Sequence, residues 1–300
     1  MDVFSKKPTT IEQQISILQE RGMIISDKSR AKEFLEYCSY YRFCGYALHF
    51  EELTSEGERT HRYKPNTTFE AVEKLYHFDS ALRRLIFHYT TLIEVDFRTT
   101  LGNESAVYFN DAHWFLDPEN FTKAEQHHDF LSLCSKEVEN CREIFISSYK
   151  KKYSNPSLPP LWMLTELMSF SVWSRLYQNL ADKNLKKVIA DKQKIKPHYL
   201  ESWLKALTVL RNHCAHHSRI WNRNFTQAPS LSERMKKKII PGQHKKIFVL
   251  LLIIYELLRK IKRENDFYND LTALFREYPE IDLKNLGFAD SPELCFFEKF

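Results

Sequence analysis

The chain has 300 residues, of which 43% are hydrophobic and 14% aromatic, and this is enough apolar surface to fill the core of a folded domain. A formal net charge of +5 is too small to establish a nucleic-acid partner, but it leaves no strong acidic field that would repel one. Residues 1–10 lack the apolar core of a secretion signal, and the longest apolar run, residues 248–258, is too short to span a bilayer. The sequence therefore predicts a globular cytoplasmic protein with no membrane partner.

The N-terminal part of the chain has the signals of short helices. Thr9, followed three residues later by a glutamate, predicts a capping box at the start of the first helix. A second helix is predicted over about residues 29–37. Aromatic residues then recur from 37 to 50, where they either pack an N-terminal helical unit or stack nucleic-acid bases. A polar loop over residues 54–67 marks the first predicted boundary in the chain.

The middle of the chain has helical periodicity. Residues 68–108 are the longest periodic segment and predict a core helix with a heptad-like apolar seam. The seam consists of Leu75, Phe78, Leu82, Leu85, Tyr89 and Leu92. A helix over about 123–152 ends at a break over 155–160, and Pro160 is expected in the first turn of the next helix. Residues 182–196 are predicted to form a lysine-rich connector.

The last third is also predicted to be helical. A helix begins at Pro197, and after a loop that reaches Gly242, helices near 243–263 and 265–277 close the bundle. The scarcity of glycine, at six residues, and the absence of sustained strand-like alternation leave little from which to build a sheet. The predicted fold class is therefore all-α.

The predicted domain organisation has three parts. A small helical N-terminal unit occupies residues 1–60, a helical bundle occupies 68–278, and a C-terminal tail over 279–300 is unassigned. Basic runs at 150–152 and 236–238 are either solvated helix ends or a track for phosphates.

The segment from Arg211 to Asn224 concentrates cations, imidazoles and amides. When it is read as a continuation of the helix that begins at Pro197, apolar positions recur at spacings of three and four and predict a buried face. Those positions are Leu207, Leu210, Cys214, His217 and Trp221. The polar stripe on the same helix consists of Asn212, His216, Arg219 and Arg223. Such a helix is suited to hold an anion, and phosphate in particular, against a rigid surface.

Arg211 and His216 are the candidate catalytic pair. Arginine offers a planar, permanently charged fork for a phosphodiester, and histidine transfers protons near neutral pH. These are the two kinds of group that metal-free RNA cleavage uses, in which the 2′-hydroxyl attacks the adjacent phosphorus. Five residues correspond to about 140° around a helix, so the two side chains do not stack on each other. A second copy from a symmetric partner would complete the set of catalytic groups.

The same residues carry a family resemblance. Arg211-Asn212-His213-Cys214-Ala215-His216 resembles the Arg-polar-x-x-x-His signature of HEPN-superfamily ribonucleases. The longer run from Arg211 to Arg223, Arg-Asn-x-x-Ala-His-His-x-Arg-x-Trp-Asn-Arg, resembles the Abi family of bacterial phage-defence proteins, of AbiD/AbiF type. Other segments agree with that family: residues 40–46, residues 75–79 leading into Glu94 and Arg98, and residues 158–163 before Glu166. The likeness spans roughly residues 8–260.

The resemblance implies a HEPN-like helical bundle with endoribonuclease activity. The implied protein is a toxin that acts in phage defence by abortive infection and needs neither a metal nor another cofactor. Its catalytic residues would be Arg211, Asn212 and His216, brought together in a homodimer. The residues implied to bind RNA are Arg219, Asn222, Arg223 and His217. The products would carry 2′,3′-cyclic phosphate and 5′-hydroxyl ends.

Glu94, Arg98 and Glu166 are candidate supporting residues. Glu94 and Arg98, four residues apart, are either an ordinary helical ion pair or a site in which Glu94 neutralises and aims an arginine of the motif. Glu166 lies among apolar neighbours, so it is either near the catalytic pocket or on a helix surface. His213 and His217 have the one-turn offset of a zinc pair, but no third ligand follows at a matching distance, so no metal site is predicted.

Two other functions also fit the sequence. The first is a non-catalytic RNA-binding protein that holds a structured RNA, such as a small regulatory RNA that restrains the toxin. The second is a purely structural helix in which Arg211 and Asn222 pair internally. The partners expected from the sequence are therefore RNA, a second copy of the chain, and a small regulatory RNA or an antitoxin.

Overall fold

A computed structural model describes residues 3, 5, 7–261 and 266–289. Within these residues the chain forms thirteen α-helices and one two-stranded sheet, which confirms the predicted all-α fold class. None of the described helices combines the length and the apolar character needed to cross a membrane.

The first four helices are α1 (Ile11–Glu20), α2 (Lys28–Cys38), α3 (Tyr40–Ala47) and α4 (Phe69–Phe109), and strands β1 (Glu51–Leu53) and β2 (Arg59–Tyr63) lie between α3 and α4. They are followed by α5 (Ala124–Asn140), α6 (Ile144–Lys152), α7 (Leu161–Leu164), α8 (Phe170–Asn179) and α9 (Lys183–Lys192). The last helices are α10 (Pro197–Ala215), α11 (Glu233–Lys236), α12 (Ile247–Lys260) and α13 (Phe267–Glu277).

The cap of α1 lies one residue later than predicted. The side chain of Thr10 accepts the backbone N–H of Gln13, and the side chain of Gln13 accepts the backbone N–H of Thr10. Thr9 and Thr10 are each followed three residues later by a side chain that can close a capping box. The sequence pattern therefore fits either threonine, and the choice of Thr9 was wrong.

A hairpin occupies much of the segment predicted to be a polar loop. Strands β1 and β2 pair antiparallel, with Glu51 opposite Tyr63. Arg59 donates from Nε and Nη2 to the two carboxylate oxygens of Glu51, at 2.7 and 2.8 Å. The strands have three and five residues and are largely polar, so they have no apolar alternation by which the sequence could have predicted them.

The chain divides into two compact units. Unit 1 comprises Met1–Arg83 and Ala273–Ile281, and unit 2 comprises Arg84–Thr272 and Asp282–Phe300. Both α4 and α13 contribute residues to each unit.

Aromatic rings form the core of unit 1. Phe43 and Phe69 stack at a centroid distance of 4.4 Å, and Phe34 meets both rings edge-on. Phe43 and Tyr46 are buried, whereas Tyr41 is exposed. Packing therefore accounts for Phe43 and Tyr46 in the predicted aromatic segment, but not for Tyr41.

A buried polar cluster ties α3 to α4 within unit 1. The Tyr46 hydroxyl donates to Asp79 Oδ2 at 2.7 Å, and Arg83 donates both to the Tyr46 oxygen, at 2.9 Å, and to Asp79. Burial and the charge of Asp79 raise the pKa of Tyr46, so its hydroxyl stays a neutral donor. Arg83 and His88 have the same spacing in the sequence as Arg211 and His216. The contacts of Arg83 with Tyr46 and Asp79 show that it has a structural role in unit 1.

Helix α10 is the packing centre of unit 2, where it contacts α8, α9 and α12. Its buried side chains include Leu200, Leu204, Leu207, Leu210 and Cys214, which follow the helical spacing predicted from the sequence. The first eight residues of α12 are all buried. Helix α10 is therefore held firmly along one face, with its last turn at the edge of the packed core.

The seam of α4 differs from the heptad prediction. Leu85 and Leu92 are only half-buried, whereas Ile86, Ile93 and Phe97 are fully buried. A straight α-helix has 3.6 residues per turn, so its buried face drifts away from a strict seven-residue repeat over 41 residues.

Two predicted helices are interrupted. The helix expected over 123–152 is divided into α5 and α6, because Cys141 and Glu143 adopt extended backbone conformations. The helix expected after Pro160 is divided into α7 and α8, and Pro160 is the N-cap of α7 rather than a residue of its first turn. Neither interruption contains glycine or proline, so the sequence carried no breaker signal at these points.

The lysine-rich connector predicted over 182–196 contains a helix instead. Asp182 caps α9 by accepting the backbone N–H groups of Asn184 and Leu185, and Leu185 and Ile189 are buried. The loop predicted before Gly242 likewise contains the short helix α11. Helices α12 and α13 confirm the closing helices, although the ends predicted at 263 and 265, and residues 290–300 of the tail, lie outside the described residues.

Candidate functional site

Helix α10 ends before the predicted motif does. The backbone N–H of Ser218 donates to the His213 carbonyl at 2.9 Å, and that of His217 donates to the Cys214 carbonyl at 3.1 Å. His217 has a φ of 54°, in the left-handed region that usually favours glycine. These two bonds form a helix-ending motif, with His216 as the C-cap. The prediction that the helix continues to Asn224 was therefore wrong.

This ending changes the arrangement of the predicted site residues. His216 and His217 are exposed, so the prediction that His217 lies on the buried seam was also wrong. Arg219, Asn222 and Arg223 lie in irregular structure after the helix, not in a stripe along it. Trp221 is buried as predicted, although a turn, not a helix, places it there.

Arg211 lies in the last turn of α10 with its guanidinium partly covered. Its Nε is 3.4 Å from Glu94 Oε2, which is within ion-pair distance but outside hydrogen-bond geometry. The guanidinium carbon lies 5.6 Å from the ring centroid of Phe87, and Nη1 lies 3.4 Å from Asn212 Oδ1. The side chain is 25% exposed. Arg211 is therefore held by α4 and still reaches solvent.

Glu94 is the buried partner of Arg211. It lies on α4 with 5% of its surface exposed, and it accepts the backbone N–H of Phe170 at the start of α8. Burial raises the pKa of Glu94, while the charges of Arg211 and Arg98 and the Phe170 hydrogen bond oppose this rise. Two arrangements were predicted for Glu94. The structure has the one in which Glu94 lies against an arginine of the motif, Arg211.

Arg98 and Glu166 extend this arrangement. Arg98 Nη2 donates to Glu166 Oε2 at 3.2 Å. Glu166 lies in the turn between α7 and α8, and its side chain is 54% exposed. The three predicted supporting residues are thereby connected to Arg211 through the α4 surface.

The turn after α10 carries a second group of cations. Arg223 Nη1 donates to the Arg219 carbonyl at 2.9 Å and lies 3.4 Å from Nδ1 of His213. Lys246, the residue before α12, donates to Asn222 Oδ1 at 2.8 Å. The internal pairing of Arg211 with Asn222, expected from a purely structural helix, is not the arrangement seen, because Arg211 meets Glu94 and Asn222 meets Lys246.

The sequence did not predict that His213 and Lys246 belong to this group. Burial, together with the nearby charges of Arg223 and His216, lowers the pKa of His213. Burial and the charge of Arg219 lower the pKa of Lys246. His213 lies inside the motif, but its spacing to His217 indicated only one ligand of a possible metal pair. Lys246 lies 24 residues beyond Asn222, and no sequence pattern connects the two.

The possible metal pair is not built as its spacing suggested. His217 lies in the left-handed turn beyond α10, so His213 and His217 are not stacked on successive helical turns. In the described part of the chain, no group of three or more His, Cys, Asp or Glu side chains is placed to hold a metal ion.

Comparison with known proteins identifies the family of this chain. A family model described as Abi-like protein matches residues 33–222, which is more than half of the chain. The chain belongs to the Abi-like protein family. Searches of curated proteins and of solved structures found no match for it. Family membership suggests a role in abortive infection, a form of phage defence, and is compatible with a nuclease-type activity.

The match to the Abi-like family covers most of the candidate site. Glu94, Arg98 and Glu166 lie within it, and so does the motif from Arg211 to Asn222. Arg223 and Lys246 lie beyond its last residue. The site of this Abi-like protein thus consists of two parts. One part lies within the residues that match the family model, and the other is the cationic turn after α10, to which Arg223 and Lys246 contribute from beyond the match.

The arrangement suits the chemistry of a phosphodiester. A guanidinium held between a carboxylate and an aromatic ring has a fixed orientation, and it can bind a phosphate oxygen on its open side. An exposed imidazole at a helix end can reach a bound substrate and exchange protons with it. The cations around His213 provide further positive charge for a polyanion.

Proposed function

We propose that this Abi-like protein is a metal-independent endoribonuclease toxin that acts in phage defence by abortive infection. The observation that carries the proposal is the contrast between two side chains at the end of α10. Arg211 is held against buried Glu94, whereas His216 is exposed at the C-cap. Cleavage through the 2′-hydroxyl requires a positioned cation and an acid–base group that the substrate can reach.

The proposed reaction is an internal transesterification. His216 removes the proton from a 2′-hydroxyl, and the resulting oxyanion attacks the adjacent phosphorus. The bond from phosphorus to the 5′-oxygen breaks, and that oxygen leaves with a proton supplied by an acid. The products carry a 2′,3′-cyclic phosphate and a 5′-hydroxyl. Arg211 stabilises the negative charge that develops on the phosphorane oxygens.

A second copy of the chain supplies the acid in this proposal. One exposed histidine cannot take one proton and give another in the same step, so a homodimer would place the partner's motif across the scissile phosphate. Asn212, next to Arg211, hydrogen-bonds the phosphate or orients the imidazole. Arg219, Asn222, Arg223 and His217 hold the RNA on either side of the cleaved bond.

The test compares two histidine variants of the full chain. A positioned acid or base contributes on the order of 10² to 10⁴ in rate, so His216→Ala should reduce RNA cleavage by at least a hundredfold in the presence of EDTA. His128→Ala is the matched control, because His128 is also an exposed helical histidine but lies on α5 and belongs to neither the motif nor the group of cations after α10. Cleavage by His216→Ala at the wild-type rate would overturn the assignment.

The alternative is a protein that binds RNA without cutting it, such as a holder of a small regulatory RNA that acts as antitoxin. The pairing of Arg211 with Glu94 favours this alternative, because it offsets part of the charge that a transition state would use. RNA binding measured beside cleavage separates the two functions. The alternative predicts tight binding, no cleavage by wild type, and unchanged binding by His216→Asn.

A further inference from the structure

A cationic pocket lies at the opposite end of α10 from His216. It has a volume of about 190 Å³ and lies within unit 2, between the residues preceding α10, the first turns of α10, α11 and the C-terminal half of α12. Its lining includes Lys194, Lys196, Tyr199, Trp203, Arg234 and Lys260. The wall formed by α11 and α12 lies outside the range of the family match.

The charge of this pocket is positive. Glu256 is the one carboxylate among its lining residues in the described part of the chain, and it forms ion pairs with Arg259 at 3.1 Å and with Lys260 at 2.8 Å. The charge of Glu256 is thus offset by its own helix. Lys194, Lys196 and Arg234 add their positive charge to the pocket, which therefore attracts an anion.

Two aromatic rings form one side of the pocket. Tyr199 and Trp203 stack with a centroid distance of 5.9 Å and an interplanar angle of 29°. Trp203 is buried, and its indole N–H donates to the Ser230 carbonyl at 2.7 Å, which fixes the ring. Tyr199 is half-buried against this fixed ring, and the imidazole of His198 lies 3.9 Å from its ring centroid at an angle of 44°, so His198 forms the outer edge of the aromatic surface. A rigid aromatic surface beside cations is the combination with which proteins hold the base and the phosphate of a single-stranded nucleic acid.

We propose that this pocket binds one unpaired nucleotide of the RNA strand, with its base against Tyr199 and its phosphate beside Lys196 and Arg234. The identity of the ligand rests on the proposed function. Twelve residues of helix separate Tyr199 from Arg211, which corresponds to about 18 Å along the axis of α10. The pocket is therefore a subsite separate from the reacting phosphate, and one strand that follows α10 would occupy both.

The proposal also gives a role to two sequence features. The lysine-rich segment before α10 contributes Lys194 and Lys196, and the basic segment at α11 contributes Arg234. In general, basic segments are either a solvated surface or a track for phosphates. Their meeting at one aromatic-lined cavity favours the phosphate track, because a merely solvated lysine needs neither a cavity nor a stacked pair of rings.

The experiment measures binding of a fluorescent single-stranded 2′-O-methyl RNA to the full-length protein. This probe lacks the attacking hydroxyl, so it stays intact in the presence of wild type. Lys196→Glu and Tyr199→Ala should each weaken binding by about tenfold, consistent with the loss of a phosphate contact or of one stacked base. Tyr199→Phe keeps the ring and should bind like wild type. Lys187→Glu, an exposed lysine of α9 that does not line the pocket, should change binding less than twofold.

A strand with the same backbone but abasic sugars tests the base contact separately. Wild type should bind it more weakly than the base-bearing strand, and Tyr199→Ala should bind both strands equally. The proposal is overturned if Lys196→Glu has no more effect than Lys187→Glu, or if the abasic strand binds wild type as tightly as the base-bearing strand. Competition by a polyglutamate peptide at the same affinity would also overturn it and assign the pocket to an acidic protein partner.

Failure of this proposal is distinguishable from failure of the proposed function. If wild type cleaves RNA and the pocket variants bind normally, only the subsite is wrong. If wild type does not cleave but the pocket variants lose binding as predicted, the subsite is retained in an RNA-binding protein.

Discussion

At the scale of single residues, the proposed activity depends on how Glu94 holds Arg211. The carboxylate is buried on α4, and the guanidinium reaches it from the last turn of α10 while the ring of Phe87 covers another side. An arginine held in this way loses little conformational freedom when it binds phosphate. Glu94 is a positioning residue, because it acts on the substrate only through Arg211.

Replacement of Glu94 by glutamine tests this role. Glu94→Gln keeps the size of the side chain and removes its charge, so Arg211 becomes more mobile and its positive charge is no longer offset. We expect RNA to bind as tightly as in wild type or more tightly, while the rate of cleavage at saturation falls about tenfold. Glu104→Gln, which alters another carboxylate of α4 that pairs with Lys192 at 3.0 Å, serves as the control and should change the rate less than twofold. A parallel loss of binding and rate in Glu94→Gln would contradict the positioning role.

The pH dependence of cleavage gives a second readout of Glu94. Its pKa is raised, chiefly by burial, so as the pH falls the folded protein protonates this carboxyl earlier than a free glutamic acid would be protonated. Protonation removes the ion pair with Arg211, so wild-type cleavage should decline on the acid side. Glu94→Gln has no proton to gain at this position, so its decline on the acid side should lack the part that Glu94 contributes and be shallower than that of wild type. An acid limb of the same shape in both proteins would assign the limb to another group.

At the scale of elements, the end of α10 decides where the motif residues lie. The start of this helix at Pro197 was predictable, since proline is favoured in the first turn. Its end was not, because apolar spacing continues to Trp221 and the helix-ending position holds a histidine where glycine is usual. A turn returns Trp221 to the core at the position where a continuous helix would also have buried it. Periodicity alone does not distinguish these two structures.

The left-handed conformation of His217 predicts a gain of stability on replacement by glycine. A side chain with a Cβ costs about 1–2 kcal/mol in this region, so His217→Gly should stabilise the helix end by roughly 1 kcal/mol. For a chain of 300 residues, the increase in Tm should be about 1–2 °C. His217→Ala retains a Cβ and should show no such increase. An unchanged or lower Tm for His217→Gly would indicate that the side chain makes a stabilising contact of similar size.

His213 predicts how stability depends on pH. Its folded-state pKa is lowered from 6.5 by burial and by the charges of Arg223 and His216, so the unfolded chain binds this proton more readily. The free energy of unfolding should therefore fall as the pH is lowered through 6.5, and this part of the loss should be absent in His213→Asn. Denaturant titrations of both proteins between pH 7.5 and 5 would measure the difference. Parallel curves would show that His213 does not contribute.

At the scale of the whole molecule, the sequence predicted the all-α class and the long helix α4, because these depend on local periodicity. Apart from the contact of Glu94 with an arginine of the motif, which was one of two alternatives, it did not predict which distant residues meet. Lys246 joins Asn222 from the start of α12, and Tyr199 lines a pocket whose other walls come from α11 and α12. Such contacts depend on how helices pack. The sequence pattern within one helix does not indicate which residues of other helices it will contact.

The proposed reaction requires that two copies of the chain associate. Because the proposal assigns one catalytic histidine, His216, to each chain, the active species should be a homodimer with a mass of about twice 35.9 kDa. Light scattering combined with cleavage assays over a dilution series should show activity per chain falling as dimers dissociate. Undiminished cleavage by a monomer would remove the need for a partner and require a second acid within the chain.

The most direct test of the central claim is the chemistry of the RNA ends. RNA should be sequenced by end type after brief expression of wild type, His216→Ala and His128→Ala. We predict new 2′,3′-cyclic phosphate and 5′-hydroxyl ends in cells that express wild type or His128→Ala, and none above background with His216→Ala. The same new ends with His216→Ala, or only 5′-phosphate ends with wild type, would contradict cleavage by an Arg211–His216 site.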